Sequence, residues 1–407
     1  MENEAYSSMD SVAIHAAESM STGNAHVMPI FATSTFTFDS AEQGMNRFAG
    51  TEPGFIYSRF GNPTTEAAAV TIAALEAFGL VTDAGSPLAL KALLHASGQS
   101  AMATMFLANL SAGDAVLSHY SLYGGTHEFL FGFLKRFGVI AEIADLRQPE
   151  LVEDAIRNNP AIKLIHIETP ANPTMQCISI EQICSIAKKY NLKVTVDNTF
   201  ATPYLQQPFK YGADFVFHST TKFLNGHGTA IGGVLLGKDI PFMNGPVYEA
   251  YKLLGGNSNP FDAYLLLQGI KTLSIRMDLH CSNAKRVAEY LSTHQAVATV
   301  HYNGLPTHPD YEVSFGQMRK PGAVLSFELK DGFENAKQFI NKLKMCVRAV
   351  SVGTADTLLS HPASMSHSGM SREDRYKSGI TDGLIRMSVG LENVDDILND
   401  LEQALKN

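Results

Sequence analysis

The chain has 407 residues, enough for two or three domains, or for one large and one small. Hydrophobic residues make up 45% and charged residues 17%, the balance of a globular protein with a sizeable core. A formal net charge of −9 excludes a basic nucleic-acid footprint, and no apolar run reaches the length of a membrane span. The N-terminus carries Glu2, Glu4 and Asp10 without an apolar signal core, so a cytoplasmic location is expected. Cys177, Cys184, Cys281 and Cys346 form no C-x-x-C pair and do not cluster with histidines at zinc spacing. They read as core or reduced surface thiols, and no metal site is expected.

Residues 1–60 are rich in Ser, Thr, Met and Gly and poor in long periodic runs. This segment is expected to be irregular and to pack on something else, a partner subunit being one candidate. From residue 61 helix and strand patterns alternate. Residues 64–78 and 101–110 are rich in helix formers, residues 115–118 and 163–167 read as strands, and the prolines of residues 169–174 mark a loop. Residues 81–91 look like an insertion, with a surface loop as the plain reading. Ser179 with Gln182 resembles a capping box ahead of Ile183, Ile186, Ala187 and Tyr190 at helical spacing, and residues 193–196 form the next strand. Apolar runs follow at 215–218 and 234–236. Strand, helix, strand with short connections predicts a right-handed crossover and a mainly parallel sheet, with ligands beyond the carboxyl ends of the strands. After about residue 260 the texture changes. Residues 263–290 read as one long helix with Leu266, Ile270, Leu273 and Met277 along a face; residues 324–328 and 385–389 read as strands, and residues 394–405 as a terminal helix. The division predicted is an N-terminal segment 1–60, a large α/β domain 61–260 and a smaller α+β domain 261–407.

Two polar residues follow predicted strands in a suggestive order. Asp197 closes one strand, and Lys222 ends the run His218-Ser-Thr-Thr-Lys222 after the next. A lysine can form a Schiff base with a carbonyl cofactor, neighbouring hydroxyls such as Ser219 and Thr221 can hold a phosphate, and an acidic residue can pair with a protonated pyridine nitrogen. That combination suits pyridoxal 5'-phosphate. Ser97, Gly98 and Gln99 precede a helix and expose backbone N–H groups to a phosphate. Tyr123 offers a ring to stack on a pyridine, and Tyr57 with Arg59 offers a phenol and a guanidinium. Arg386, inside an apolar strand, is costly to bury without an anion and suits a substrate carboxylate. Taken singly, each has a plainer reading: a solvated lysine, a turn aspartate, a helix cap, a core tyrosine, a loop arginine.

Together the motifs reach a family. Ile56-Tyr-Ser-Arg-Phe-Gly-Asn-Pro-Thr64, Ala96-Ser-Gly98, Leu122-Tyr-Gly124, Glu168-Thr-Pro-Ala-Asn-Pro173, Val196-Asp-Asn-Thr199, His218-Ser-Thr-Thr-Lys222 and Leu384-Ile-Arg-Met-Ser-Val-Gly390 resemble, in order and over nearly the whole chain, the Cys/Met-metabolism pyridoxal phosphate enzymes. The resemblance implies a fold-type I PLP-dependent transferase: an α/β large domain around a mainly parallel sheet, a smaller C-terminal α+β domain, and a homotetramer of dimers with shared active sites. It implies that Lys222 carries the cofactor, that Asp197 meets its ring nitrogen, that Tyr123 stacks on the ring and assists proton transfer, and that Asn172 contacts its phenolic oxygen. Gly98 beside Ser97, the Gln99 backbone, Ser219 and Thr221 would hold the phosphate, and Tyr57 and Arg59 would reach the phosphate of the adjacent subunit. Ser351 and Arg386 would bind the α-carboxylate of an amino-acid substrate.

Within the family, enzymes that handle cystathionine place a glutamate where Val350 stands here, and an apolar residue cannot pair a distal ammonium. The stretches Arg348-Ala-Val-Ser-Val-Gly353 and His361-Pro-Ala-Ser-Met-Ser-His367 look most like methionine γ-lyase, whereas Gly125 stands where those enzymes typically carry cysteine. Ser97-Gly-Gln99, Gly226-His-Gly-Thr-Ala-Ile-Gly-Gly233 and Leu267-Gln-Gly269 look more like O-acetylhomoserine sulfhydrylase. The expected reaction is γ-elimination of methionine or a related homoserine derivative to 2-oxobutanoate, ammonia and a thiol. The alternatives are γ-replacement, as in O-acetylhomoserine sulfhydrylase or cystathionine γ-synthase, and a cofactor-binding protein without catalysis.

Overall fold

A computed structural model describes residues 6–21, 24–366, 368–369, 371–377 and 379–406; His367 of the second lyase-like stretch lies outside the described residues. Seven strands form the larger sheet: β1 (Lys91–His95), β2 (Ala115–Ser118), β3 (Ile140–Ile143), β4 (Ile162–Glu168), β5 (Lys193–Asp197), β6 (Phe215–His218) and β7 (Gly233–Gly237), in the order β1-β7-β6-β5-β4-β2-β3. The pairs from β6 to β3 are parallel, and β7 alone runs against its neighbours β1 and β6. The crossover between β4 and β5 is the helix Ile180–Lys189, where the Ser179 hydroxyl accepts the Gln182 N–H at 3.3 Å as the capping motif predicts.

Helices cover both faces, so the strands are apolar on both sides and their side chains divide by alternation. Val194, Val196, Val216, Val234 and Leu236 enter one core with the helix Pro63–Glu76. Leu164, Phe215, Phe217 and Leu235 enter the other, with the helix Gly98–Asn109. The same parity decides where the polar strand ends point. Glu168 shares the parity of Leu164, and Asp197 alternates with Val194 and Val196 of the first core; the two acids are register partners, and Asp197 is paired in turn with Phe217. His218, on the opposite parity, is buried against Glu76 at 2.7 Å beneath the sheet.

The second sheet contains β8 (Val297–His301), β9 (Val324–Leu329), β10 (Val347–Arg348), β11 (Leu358–Ser360) and β12 (Leu384–Ser388), ordered β10-β11-β12-β9-β8 and antiparallel except for β10–β11. One face packs Leu325, Phe327, Ile385 and Met387 against Val287, Leu291, Ile397 and Leu401 of the helices Leu273–Thr293 and Val394–Leu405. The other carries Ser326, Ser360 and Arg386 side by side. It meets the 169–174 loop, where Ser326 donates to the Pro173 carbonyl at 2.6 Å.

Three expectations change. The N-terminal segment is not wholly irregular: it holds the helices Met9–His15 and Ala41–Phe48, and Met9, Val12 and Ala13 pack into this chain's own core. The long helix expected over 263–290 is two, Pro260–Ile270 and Leu273–Thr293. The break forms because the Gly269 carbonyl, instead of continuing the helical ladder, accepts from the Thr272 hydroxyl at 3.3 Å and the Arg276 guanidinium at 2.7 Å. The strands β1, β3, β8, β10 and β11 lack a sequence counterpart; β3 is an edge strand whose Ile140 and Ile143 are exposed, so its apolar pattern points outward. The insertion is a surface turn in which Val81 bridges Pro87.

The break also brings Gly269 against the loop after Lys222, where an added Cβ would stand 2.1 Å from the Asn225 carbonyl oxygen. Backbone cannot yield as a side-chain tip does, so Gly269→Ala is expected to cost about 2 kcal/mol of stability, measured by denaturant unfolding of the holoenzyme.

Candidate active site

The carboxyl ends of β4, β5 and β6 open into a cleft of about 420 Å³ bounded on its far side by residues of the second sheet. It gathers Ser97, Gly98, Gln99, Tyr123, Asn172, Asp197, Ser219, Thr221, Lys222, Val350, Ser351 and Arg386. Tyr57 and Arg59 do not reach it. Tyr57 is 41% exposed elsewhere on the surface, and Arg59 donates to the Lys252 carbonyl at 2.7 Å and lies over the Phe60 ring.

The turn bearing Lys222 is tightly fastened. Beneath it, the buried Arg276 guanidinium donates to the carbonyls of Phe223 at 2.8 Å and Leu224 at 3.4 Å. Beside it, Gly353 at φ +79° approaches so closely that a Cβ would sit 2.5 Å from the Phe223 nitrogen. The Lys222 amine then donates to the Ser351 hydroxyl at 2.9 Å. Burial, assisted by the Arg386 charge, lowers this amine to a pKa of about 8. A lysine here is thus partly neutral near neutral pH, the form that is nucleophilic and basic.

Arg386 is buried and faces no carboxylate among the described residues. Its Nη1 donates to Asn172 Oδ1 at 3.1 Å, and its Nη2 to the carbonyls of Val350 at 2.6 Å and Ser351 at 3.1 Å. A guanidinium satisfied by neutral oxygens alone retains its full charge for an incoming anion. The floor carries the opposite sign. Asp197 accepts the Thr199 N–H at 3.0 Å, and Glu168 accepts the N–H groups of Tyr123 at 2.6 Å and Asn172 at 2.9 Å. Burial pushes both carboxyls up, and the Asp197 charge adds to the effect on Glu168.

At the near wall, Ser97 caps the helix Gly98–Asn109 by accepting the Ser100 N–H at 3.0 Å, leaving the earlier N–H groups facing the cleft. Gly98 lies against Ser219 so closely that a Cβ would stand 2.7 Å from the serine Cβ. Thr221 is more committed: its hydroxyl donates to the Gly232 carbonyl at 3.2 Å and accepts that residue's N–H at 3.0 Å. This clasp holds the glycine-rich 226–233 loop over the mouth, where Ile231 is 64% exposed. Gln99 donates to the Gly125 carbonyl at 3.0 Å, and a Cβ at Gly125 would meet the Tyr123 ring at 2.6 Å. The absence of a side chain at 125 is therefore what lets the Tyr123 ring lie where it does.

A family model described as Cys/Met metabolism PLP-dependent enzyme matches residues 10–406. The chain belongs to that family. It is 46% identical to the L-methionine gamma-lyase of Porphyromonas gingivalis, over 93% of this chain and 92% of that protein. It is 37% identical to the O-succinylhomoserine sulfhydrylase of Pseudomonas aeruginosa, over 97% and 94% respectively. The crystal structure of cystathionine gamma synthase from Xanthomonas oryzae pv. oryzae superposes with a TM-score of 0.89 at 34% identity, covering 98% of this chain and 97% of that one. The architecture is fold-type I, and the enzyme is PLP-dependent. The cleft's donor set fits that cofactor on its own evidence: a lysine with a lowered pKa, a helix N-terminus closed against Ser219, and carboxylates on the floor that lack a cation.

Glu168 and Ile231 line the cleft without having been assigned a role from sequence. Glu168 carries the same signal as Asp197, an acid at the carboxyl end of a buried run. Ile231 has none, being one apolar residue in a glycine-rich loop. In cofactor-free protein the Lys222 amine is expected to titrate near 8, read from the pH dependence of its acylation by peptide mapping. Arg386→Leu removes a repelling positive charge and should move that midpoint upward; an unchanged midpoint would contradict the electrostatic coupling.

Proposed function

We propose that this chain is a methionine γ-lyase: it eliminates the γ-substituent of methionine or a related homoserine derivative, taking up one water to yield 2-oxobutanoate, ammonia and a thiol. The observation that carries this reading is the Lys222 amine held on Ser351 next to a buried, anion-free Arg386. The 46% identical gamma-lyase supports the choice of reaction, and so does the rim. There Val350, 58% exposed, and Ile231 offer apolar surface suited to a thioether.

When bound, pyridoxal phosphate supplies the electron sink that makes the substrate Cα–H acidic. In this reading Lys222 would hold the cofactor through its amine, whose lowered pKa suits it to bond a carbonyl carbon. Arg386 then takes the α-carboxylate, fixing which face of Cα is turned to Lys222. Lys222 Nζ, as a neutral amine, would remove the α-proton and return it further along the substrate, with Ser351 Oγ orienting that nitrogen. Asp197 would pair with the ring nitrogen and Asn172 with the phenolic oxygen, and the Tyr123 ring would stack and assist proton transfer. Gly98, the Gln99 backbone, Ser219, Ser97's turn and Thr221 would hold the phosphate.

We extend the proposal to the assembly: a cytoplasmic homotetramer of dimers in which Tyr57 and Arg59 serve the phosphate of the neighbouring subunit. Support comes from their distance from this chain's own cleft and from the exposed Phe38, Met45 and Phe48 on the same segment. The division into 1–60, 61–260 and 261–407 is proposed likewise. The second reading, γ-replacement, draws on the sulfhydrylase relative and the 226–233 loop.

Purified holoenzyme given methionine alone should release 2-oxobutanoate and methanethiol; product seen only with O-acetylhomoserine plus sulfide or a thiol would replace elimination with γ-replacement. Lys222→Ala should abolish turnover. Val350→Glu sets a carboxylate against the thioether and should lower kcat/KM for methionine by about tenfold. Arg59→Ala should weaken pyridoxal phosphate binding by about tenfold while light scattering still reports a tetramer.

A further inference from the structure

Glu168 is buried at the end of β4, register partner of Asp197, and its two oxygens are divided between two loops. Oε2 accepts the Tyr123 N–H at 2.6 Å and Oε1 accepts the Asn172 N–H at 2.9 Å. Asn172 continues the line, since its Oδ1 accepts from Arg386 at 3.1 Å. Arg386 donates to the Ser351 carbonyl at 3.1 Å, and the Ser351 hydroxyl accepts from Lys222 at 2.9 Å. One carboxylate thus heads a series of hydrogen-bonded residues that leads from the Tyr123 backbone through Asn172 and Arg386 to Ser351 and the lysine.

Placing a second acid beside Asp197 is costly unless its hydrogen bonds offset the desolvation and the repulsion. A loop-stapling role alone does not require a charge, because a neutral side chain could staple either loop singly. What a carboxylate supplies, and an amide of the same shape does not, is two acceptors facing two N–H donors at once. We propose that Glu168 is a positioning residue that fixes the Tyr123 ring and the Asn172–Arg386 pair in one register across the cleft. This rests on the reading of the cleft as the cofactor and α-carboxylate site.

Glu168→Gln keeps the shape but turns one NH2 toward a backbone N–H. The cofactor-depleted variant is expected to bind pyridoxal phosphate about tenfold more weakly. The reloaded variant should bind glycine, which has an amine and a carboxylate but no distal group, about tenfold more weakly, as read from the absorbance of the bound cofactor. The induced circular dichroism of that band should fall as the ring loses its fixed tilt. Thermal unfolding of the cofactor-free form should move by only a few degrees, about what one buried hydrogen bond is worth in a chain of this size. Wild-type affinities for both ligands would overturn the proposal. So would a large loss of thermal stability with an unchanged dichroic band, the mark of a purely structural residue. If the variant does not fold, Glu168→Asp carries the same test, since a side chain one methylene shorter reaches only one N–H group. None of these readouts requires elimination, so an enzyme that binds both ligands and leaves methionine intact would sink the lyase reading and not this one.

Discussion

Arg276 lies buried under the turn that carries Lys222 and commits its guanidinium to the carbonyls of Phe223, Leu224 and Gly269. Removing a guanidinium from water is unfavourable unless its donors are met, so these carbonyls are held where the arginine needs them. Gly226 leaves the space, since a Cβ there would stand 1.9 Å from the guanidinium. The break between the helices Pro260–Ile270 and Leu273–Thr293 is part of the same arrangement: it frees the Gly269 carbonyl for Arg276 and aims that residue at the lysine turn. The position of the reactive amine is therefore set from below by a residue that does not line the cleft.

Above this anchor the cleft is divided by charge. Among the described residues, Lys222 and Arg386 stand on one side without carboxylate partners, and Glu168 and Asp197 lie on the floor without a cation bonded to them. Burial and then the guanidinium depress the amine, and burial and then the adjacent acid raise Glu168, so each side is internally frustrated while the protein is alone. Ligands that carry a carboxylate toward Arg386 and a protonated ring nitrogen toward Asp197 relieve both conflicts. The stability given up in building the site is thereby returned as binding free energy.

The rim is governed by different physics. Tyr123, Ile231 and Val350 are large apolar groups left open at the cleft mouth, 53%, 64% and 58% exposed. Each is presented by backbone rather than by packing: Glu168 holds Tyr123 by its N–H, the Thr221–Gly232 clasp carries Ile231, and Arg386 holds the Val350 carbonyl. Such surface gains most from covering by an apolar substituent, which favours a thioether over a charged distal group. Arg386, proposed to anchor the carboxylate, also fixes part of the wall against which the side chain would lie.

Much of this was legible from the chain. A terminal strand residue at 197, a lysine in the turn after a strand at 222, a small-residue turn before the helix at 98, and an arginine in an apolar strand at 386 are local signals that survive folding because each depends on its own neighbours. The terminal helix Val394–Leu405 and the strand Ala115–Ser118 match their sequence bounds for the same reason. The split of the long helix, the outward face of β3 and the docking of Met9, Val12 and Ala13 were not legible, because tertiary partners decide them. Glu168 and Asp197 illustrate the limit: the chain alone determines that an acid ends each strand, since alternation and strand length are local. Only the parallel pairing of β4 with β5 decides that the two acids stand side by side, because register is a property of two strands and of neither one alone.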